Sequence, residues 1–443
     1  MSHRTRRPIN NECYPEQLLH AIGKFLPSRG LSLISTDHRI RWTDRLLVVT
    51  AIVMAWADHR TLRAAFAFAR SFVVRMYPTR RRPGKQFRGF MRSLERAHDE
   101  LLPKVTAGLR SAMERIGLLR RLQGRWMVLG GDGTRIACPR TVDNEEAFGV
   151  FGKSKSYPQR QRTTLFHVDS ALPWTWRHGR GDTSERTHLR EMMDQLPERT
   201  LLLADAGFVG FDLMRSLRQA GHDFIIRAGH NVHLLRKLGY EAREYDGIVY
   251  LWPQGRRSQC EPLVLRLVTV HDGRKRVYLL TSVLDPTLLS DSIVASLYRR
   301  RWGVEVLFRS LKQTMGKMKL RSRAGRYAQV EVDWSLVGLW LLGLMVLEST
   351  GTRRTIDCER GWSVAEALAV VRECITTRRQ KTRRIRKMLA QALVDDYVRA
   401  GPKSTRSHRR KKSEPPAGKP KLRTAMTKER RAAQGFKHYK LAS

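Results

Sequence analysis

The apolar residues of the chain change rhythm along its length, and the changes divide it into parts. Up to about residue 122, bulky apolar positions recur among arginines at helical spacing, most plainly over Thr43 to Ala57 and Thr61 to Met76, which predicts helices. The basic, proline-broken YPTRRRPGK that follows reads as a loop. From 126 onward, short apolar runs end in Gly and Asp: WMVLGGDGT, then TTLFHVDSALPW, then RTLLLADAGF. Runs of this length and ending predict strands of a buried sheet. Between the last two, SERTHLREMMDQL predicts a helix with Ser184 as its N-cap.

Residues 224 to 283 are richer still in strands: FIIRAG, IVYLW, LVLRLVTV and VYLLTSV, with His271-Asp272-Gly273 as a hairpin loop between the last two. SLYRRRWGVEVLFRSLKQ, residues 296 to 313, reads as one amphipathic helix, and an apolar run to Leu347 comes after it. Beyond 351 the chain offers one basic helical region, about 363 to 400. The tail from 401 to 443 holds 14 Lys and Arg against 2 Glu, with little apolar content, and is expected to be disordered when free.

The length of 443 residues and a hydrophobic content of 41% leave room for two or three domains with a real core. Charge narrows the function: 84 Lys and Arg against 41 Asp and Glu give +43. Self-repulsion on that scale implies a polyanionic partner, with nucleic acid the first candidate and an anionic membrane surface the second. Five cysteines, Cys13, Cys138, Cys260, Cys358 and Cys374, form no CxxC pair. A reducing compartment is therefore expected and a structural zinc site is not. MSHRTRRPINN has no apolar stretch behind it, and the longest apolar runs, at 46 to 57 and 336 to 347, fall short of the roughly 20 residues that span a bilayer. Both are expected to be core helices, and the protein cytoplasmic, without a membrane partner.

At about 100° per residue, Tyr298, Arg301, Glu305 and Lys312 share a helical arc of roughly 60°. Leu297, Val304, Leu307, Phe308 and Leu311 fall on the neighbouring arc, which would bury against the sheet. A carboxylate bordering a buried face needs a cation or a metal ion. Glu305 could simply pair with Arg301 or Arg309, four residues away on either side. Elsewhere, Asp132 and Asp205 each close an apolar strand and are followed within two residues by glycine, where open α/β sheets present side chains to ligands. Each could also be a turn-capping Asp. Two strand-end aspartates and a helical glutamate are what a Mg²⁺ site at a phosphodiester requires.

The spacing Tyr298-x2-Arg301-x3-Glu305-x6-Lys312, downstream of DGT and DAGF, resembles the YREK signature of DDE transposases of bacterial insertion sequences, the class called insertion sequence family 4. The resemblance covers about 125 to 350, with a weaker echo in PGKQFRGFMRSL. It implies an α/β fold: an RNase H-like catalytic core with a β-rich insertion between the second aspartate and the glutamate. It also implies that Asp132, Asp205 and Glu305 are catalytic metal ligands for two Mg²⁺ ions, with Mn²⁺ as substitute, and that Tyr298, Arg301 and Lys312 contact DNA. Some members stack a flipped base on a tryptophan of the insertion, for which Trp252 is the candidate here. Ser184-Glu185-Arg186 resembles a family stretch to which no role is assigned. Hairpin DNA ends and a homodimer in the DNA complex are further implications.

The expected organisation is a helical DNA-end-binding region (1–122), the first part of the catalytic core (123–223), the insertion (224–288), the second part of the core with the YREK helix (289–350), a helical region (351–400) and the basic tail (401–443). The expected function is Mg²⁺-dependent cleavage at the terminal inverted repeats of an element and transfer of the ends into target DNA, in a nucleoid-associated bacterial protein. The alternatives are an inactive transposase-derived DNA-binding protein and an RNase H-like nuclease without strand transfer.

Overall fold

The computed structural model describes residues 13–27, 30–33, 37, 39–77, 82–151, 157–241, 245–272, 275–351, 361–377, 384–392 and 418–441. Helical periodicity at the amino-terminal side becomes four helices, α1 (Tyr14–Phe25), α2 (Asp44–Trp56), α3 (Leu62–Met76) and α4 (Phe87–Arg115). The expected boundaries of α2 and α3 hold to within one residue at each end. α3 starts where Thr61 Oγ1 accepts a hydrogen bond from the Ala64 amide at 3.2 Å, an N-cap of the ordinary kind.

Among the described residues ten strands join in one sheet: β1 (Met127–Ala137), β2 (Gln159–His167), β3 (Leu172–Arg180), β4 (Thr200–Ala204), β5 (Asp223–Ala228), β6 (His233–Arg236), β7 (Ile248–Leu251), β8 (Leu263–Asp272), β9 (Lys275–Thr281) and β10 (Lys421–Thr424). Their order is β10-β6-β7-β8-β9-β5-β4-β1-β2-β3. β1, β2 and β3 form an antiparallel meander, while β4 and β5 run parallel to β1. The strands of 224 to 288 do not stand apart: β5 pairs with β4, and β9 pairs with β5 and carries the sheet outward. His271 and Asp272 belong to β8 rather than to the hairpin loop, and Gly273 lies outside the described residues.

The remaining helices are α5 (Val142–Phe148), α6 (Glu185–Glu191), α7 (Phe211–Gln219), α8 (Asp291–Arg300), α9 (Gly303–Arg309), α10 (Gly325–Thr350), α11 (Val364–Thr376), α12 (Ile385–Leu389) and α13 (Thr427–Leu441). Helices cover both faces of the parallel strands. Leu201 and Leu203 of β4 pack into a core shared with α2, α4 and α10, and Leu202 packs into a second core with α6 and α7. Burial on both faces is why LLLA carries no alternation.

α10 is 26 residues long and apolar enough to cross a bilayer, which the shorter run at 336 to 347 did not suggest, yet its most apolar stretch is wholly enclosed by the fold. Among its acids, Asp333 is 1% exposed. Asp333 accepts hydrogen bonds from Trp176 Nε1 at 2.7 Å and His98 Nε2 at 3.1 Å, and from His178 Nε2. Burial alone would raise its pKa, but His178 and His98 hold it well below the usual carboxylate range. One carboxylate thus ties α4, α10 and β3 together.

The tail departs from expectation. Residues 401–417 lie outside the described residues, but β10 pairs in parallel with β6, and α13 follows it. Glu429 of α13 pairs with Arg257 at 2.5 Å and with Arg423. The net charge had concealed a segment whose few apolar and acidic residues are the ones that dock. Cys13, Cys138 and Cys260 are free thiols, Cys374 is buried in α11, and Cys358 lies outside the described residues.

Replacing Asp333 with Ala leaves its buried donors without an acceptor. It should cost about 3–5 kcal/mol of stability, read by chemical denaturation; a loss below about 1 kcal/mol would mean that the cluster does not tie these layers together.

Candidate active site

The parallel register of β1 and β4 sets Gly131 against Ala204. The next residues, Asp132 and Asp205, therefore emerge side by side, Asp205 just past the end of β4 and Asp132 midway along β1, which runs on beside β2 to Ala137, so Asp132 does not close its strand as expected. Each aspartate turns back on the following amide: Asp132 Oδ1 accepts from Gly133 N at 2.8 Å, and Asp205 Oδ1 from Ala206 N at 2.7 Å. These bonds orient both carboxylates where β4 ends beside β1.

The third carboxylate arrives on α9, which packs on β1. Residues 296 to 313 were expected to form one helix, and the structure corrects this. The chain stays right-handed but tightens at Arg301–Trp302, where Val304 N donates to Arg301 O at 3.2 Å and Glu305 N to Trp302 O at 3.0 Å. It then widens into a π turn over Ser310–Thr314, with Met315 N donating to Ser310 O at 2.9 Å. Tight and wide turns of this kind re-aim side chains at functional positions. The apolar arc survives: Leu297, Val304, Leu307, Phe308 and Leu311 are all buried.

Arg301 lies at the centre of the site. Its guanidinium pairs with Asp132 Oδ2 at 3.6 Å and Glu305 Oε1 at 3.3 Å, and it lies over the Tyr298 ring at 5.5 Å. The i,i+4 pair of Glu305 with Arg301 therefore forms, and Arg301 in addition reaches Asp132. Tyr298 donates its hydroxyl to Asp205 Oδ1 at 3.3 Å, and Arg227 of β5 lies 3.9 Å from the same oxygen. Lys312 donates to Thr134 Oγ1 at 2.5 Å, two residues beyond Asp132. All six residues of the two motifs are thus linked in one constellation. Among the described residues, no three carboxylate, His or Cys side chains are close enough to hold one ion together; Arg301 stands between Asp132 and Glu305.

Crowding of like charge shows in the titration. Burial, reinforced by Asp205 and Glu305 and opposed by Arg301, pushes Asp132 up to about 6. Burial with Asp132 and Asp205 pushes Glu185, at the start of α6, up to about 7. Burial works against the charge of Arg301, but Tyr298, Asp205, Asp132 and Glu305 outweigh it and strengthen its hold on the proton. The Arg301 side chain is 9% exposed, and its Nε and Nη1 make no hydrogen bond. Such a buried, partly unsatisfied guanidinium suits a phosphate oxygen.

Trp252 does not serve as an exposed platform. It is 2% exposed, its Nε1 donates to Cys260 O at 2.7 Å, and Phe436 of α13 meets it edge-on. Trp252 follows a strand buried on both faces, so its indole joins the core. The indole that is open, 54% exposed, belongs to Trp302, within the YREK segment at the tightened turn. Glu185, Arg227 and Trp302 were not given site roles from the sequence. For Glu185 the available signals were the Ser184-Glu185-Arg186 stretch and the glycines that follow both aspartates.

Residues 131–341 match the family model described as transposase DDE domain. Among curated proteins, the chain is similar to the transposase InsG for insertion sequence element IS4 of Escherichia coli (strain K12), with 29% identity over 223 residues. That match spans 47% of this chain and about half, 50%, of the relative. Among solved structures, the piggyBac transposase synaptic complex with hairpin DNA aligns over 92% of this chain and 91% of its own, at 12% identity and a TM-score of 0.43.

Because Asp132 titrates higher folded than unfolded, folding takes up protons between about pH 4 and 6. The protonated form supports the fold fully below about pH 4, and that support is lost as pH rises through 6. In protein stripped with EDTA, Asp132→Asn should therefore match wild type near pH 4 and exceed it by about 3 kcal/mol at pH 8. Thermal melts across that range provide the measurement; a wild type that gains on the variant as pH rises would reverse the sign assigned to Asp132.

Proposed function

We propose that this chain, which carries a transposase DDE domain over residues 131–341, is a DNA transposase that cuts at the ends of its element and joins them to target DNA. The observation that supports the reading is that Arg301 pairs with both Asp132 and Glu305 while Asp205 lies near enough to act electrostatically on Asp132. Three carboxylates with only oxygen donors suit a hard divalent ion such as Mg²⁺ in their chemistry. When bound there, Mg²⁺ would activate water or a 3′-hydroxyl and stabilise the leaving oxygen.

The chain's own groups supply the rest. For the carboxylates to share ions, Arg301 must release Asp132 and Glu305, and a DNA phosphate arriving with the metal gives its guanidinium a new partner. Tyr298 and Arg227 hold Asp205 in place from the side of β5 and α8. Lys312, tethered to Thr134, adds a cation beside the same strand end. Burial that lifts Asp132 makes proton and metal compete for it.

DNA binding extends beyond the catalytic core. An open cavity of about 1040 Å³ between α2, α3 and α4 is lined by Arg39, Arg41, Arg70, Arg82, Lys85, Arg92 and Arg96. Arg70 donates to the backbone carbonyls of Gly84 and Pro83 at 2.8 and 2.9 Å, fixing the PGK loop as one wall. This groove is the candidate end-binding surface, and its phosphate contacts should weaken steeply with salt. A homodimer on DNA, hairpin ends and a cytoplasmic, nucleoid-associated location complete the reading.

A duplex carrying the gene's own flanks, incubated with full-length protein and Mg²⁺, should be cut at the flanks and the freed ends joined to a second DNA. Glu305→Gln should reduce cleavage by about 1000-fold while still binding the flanks in a gel-shift assay. Cutting without joining would favour a nuclease, and binding without cutting by either protein would favour an inactive DNA-binding protein.

A further inference from the structure

Beyond the loop that follows Asp205 lies an open cavity of about 630 Å³. Its near wall starts at the candidate site. A Cβ on Gly133 would overlap the Glu185 carboxylate, and one on Gly207 would lie 2.8 Å from Glu185 Oε2. The two glycines therefore cradle Glu185 and hold the start of α6 against both aspartate loops. Arg186, the next residue, lines the cavity. It donates to Val209 O at 3.2 Å, and its Nη1 lies 3.2 Å from where a Cβ on Gly210 would stand, so it is laid along the backbone at the start of α7.

The far wall comes from the carboxyl-terminal segment, where β10 pairs in parallel with β6. Lys421 and Arg423, two residues apart, share one face of β10, and both line the cavity with Arg257, which follows β7. Glu429 of α13 fixes this wall. It is 3% exposed and accepts from Arg257 Nη1 at 2.5 Å, Arg423 Nη1 at 2.7 Å and Met426 N at 2.8 Å. Its carboxyl, held down at about 2 chiefly by Arg423, is charged at neutral pH.

Among the described residues no Asp or Glu lines this cavity, while four Arg and Lys side chains do. Glu429 offsets one of their four charges, which leaves three uncompensated. Cations gathered on one concave face repel one another until a polyanion joins them.

We propose that the cavity is a second DNA-backbone surface: phosphates of the duplex whose end lies at Asp132 and Asp205 pass across Arg186 to Lys421 and Arg423, and β10–α13 docks on β6 to complete that surface. This rests on the reading of the chain as a DNA transposase. The far wall is supplied from outside the matched residues 131–341, so it belongs to a part of the chain that the family match does not reach.

The test compares full-length wild type with Arg186→Gln/Lys421→Gln, which changes two exposed cations of the cavity, and with Arg120→Gln/Arg125→Gln, which changes two exposed arginines just before β1. Circular dichroism checks that each is folded. Binding to a fluorescent duplex of the gene's own flank is followed by anisotropy across about 50 to 200 mM salt. Arg186→Gln/Lys421→Gln should weaken binding about tenfold or more at physiological salt and flatten the salt slope by about 2, one unit for each lost phosphate contact, with the other pair close to wild type. An unchanged slope in Arg186→Gln/Lys421→Gln, or an equal loss in Arg120→Gln/Arg125→Gln, overturns this surface, while flank binding and cutting by wild type leave the transposase reading standing. Failure of wild type to bind the flank overturns both.

Discussion

The parallel pairing of β1 with β4 is the constraint on which the site depends. It brings two aspartates to the same level where β4 ends beside β1, so repulsion and partial burial are built into the fold. Everything around them answers that charge. Arg301 bridges one aspartate and the glutamate, Arg227 and Tyr298 attend the other aspartate, and Lys312 is moored next door. None of these contacts is a close bidentate pair.

Precision in that arrangement comes from what stands behind it. α10 runs through the interior and is locked to α4 and β3 by the Asp333 cluster, while α9 is held on β1 through its apolar face. After the π turn the chain returns to β1, where Leu320 N donates to Ala137 O at 2.8 Å. The segment carrying Glu305 is therefore anchored to the strand carrying Asp132 both through its packing and just beyond its end. Groups that must act together are held on rigid elements.

The family match covers residues 131–341, which takes in all three acids, the strands between them and most of α10. The amino-terminal helices and the β10–α13 segment fall outside it. Their contacts with the core are nonetheless extensive: α2 and α4 pack on α10, and β10 extends the sheet beyond β6. The matched region and the regions that flank it share cores, so the basic groove of the helical region is built on the same frame as the acidic site.

Local chemistry was legible from the sequence. Periodicity placed α2, α3 and α6 with its Ser184 cap, and the apolar run ending in DAG marked the end of β4 beside Asp205, since burial pattern and capping are properties of neighbouring residues, whereas β1 runs on past Asp132 because β2 pairs with it as far as Ala137. The spacing of Tyr298, Arg301, Glu305 and Lys312 named the third acid and its cations for the same reason. What lay beyond was decided by packing between distant segments. The tight and π turns arise where α9 settles on β1, Trp252 is buried because the sheet and α13 cover it, and part of a basic tail docks because β6 offers a free edge. The cradle that Gly133 and Gly207 form for Glu185 joins three separate stretches of chain, and no single stretch of sequence carries that contact.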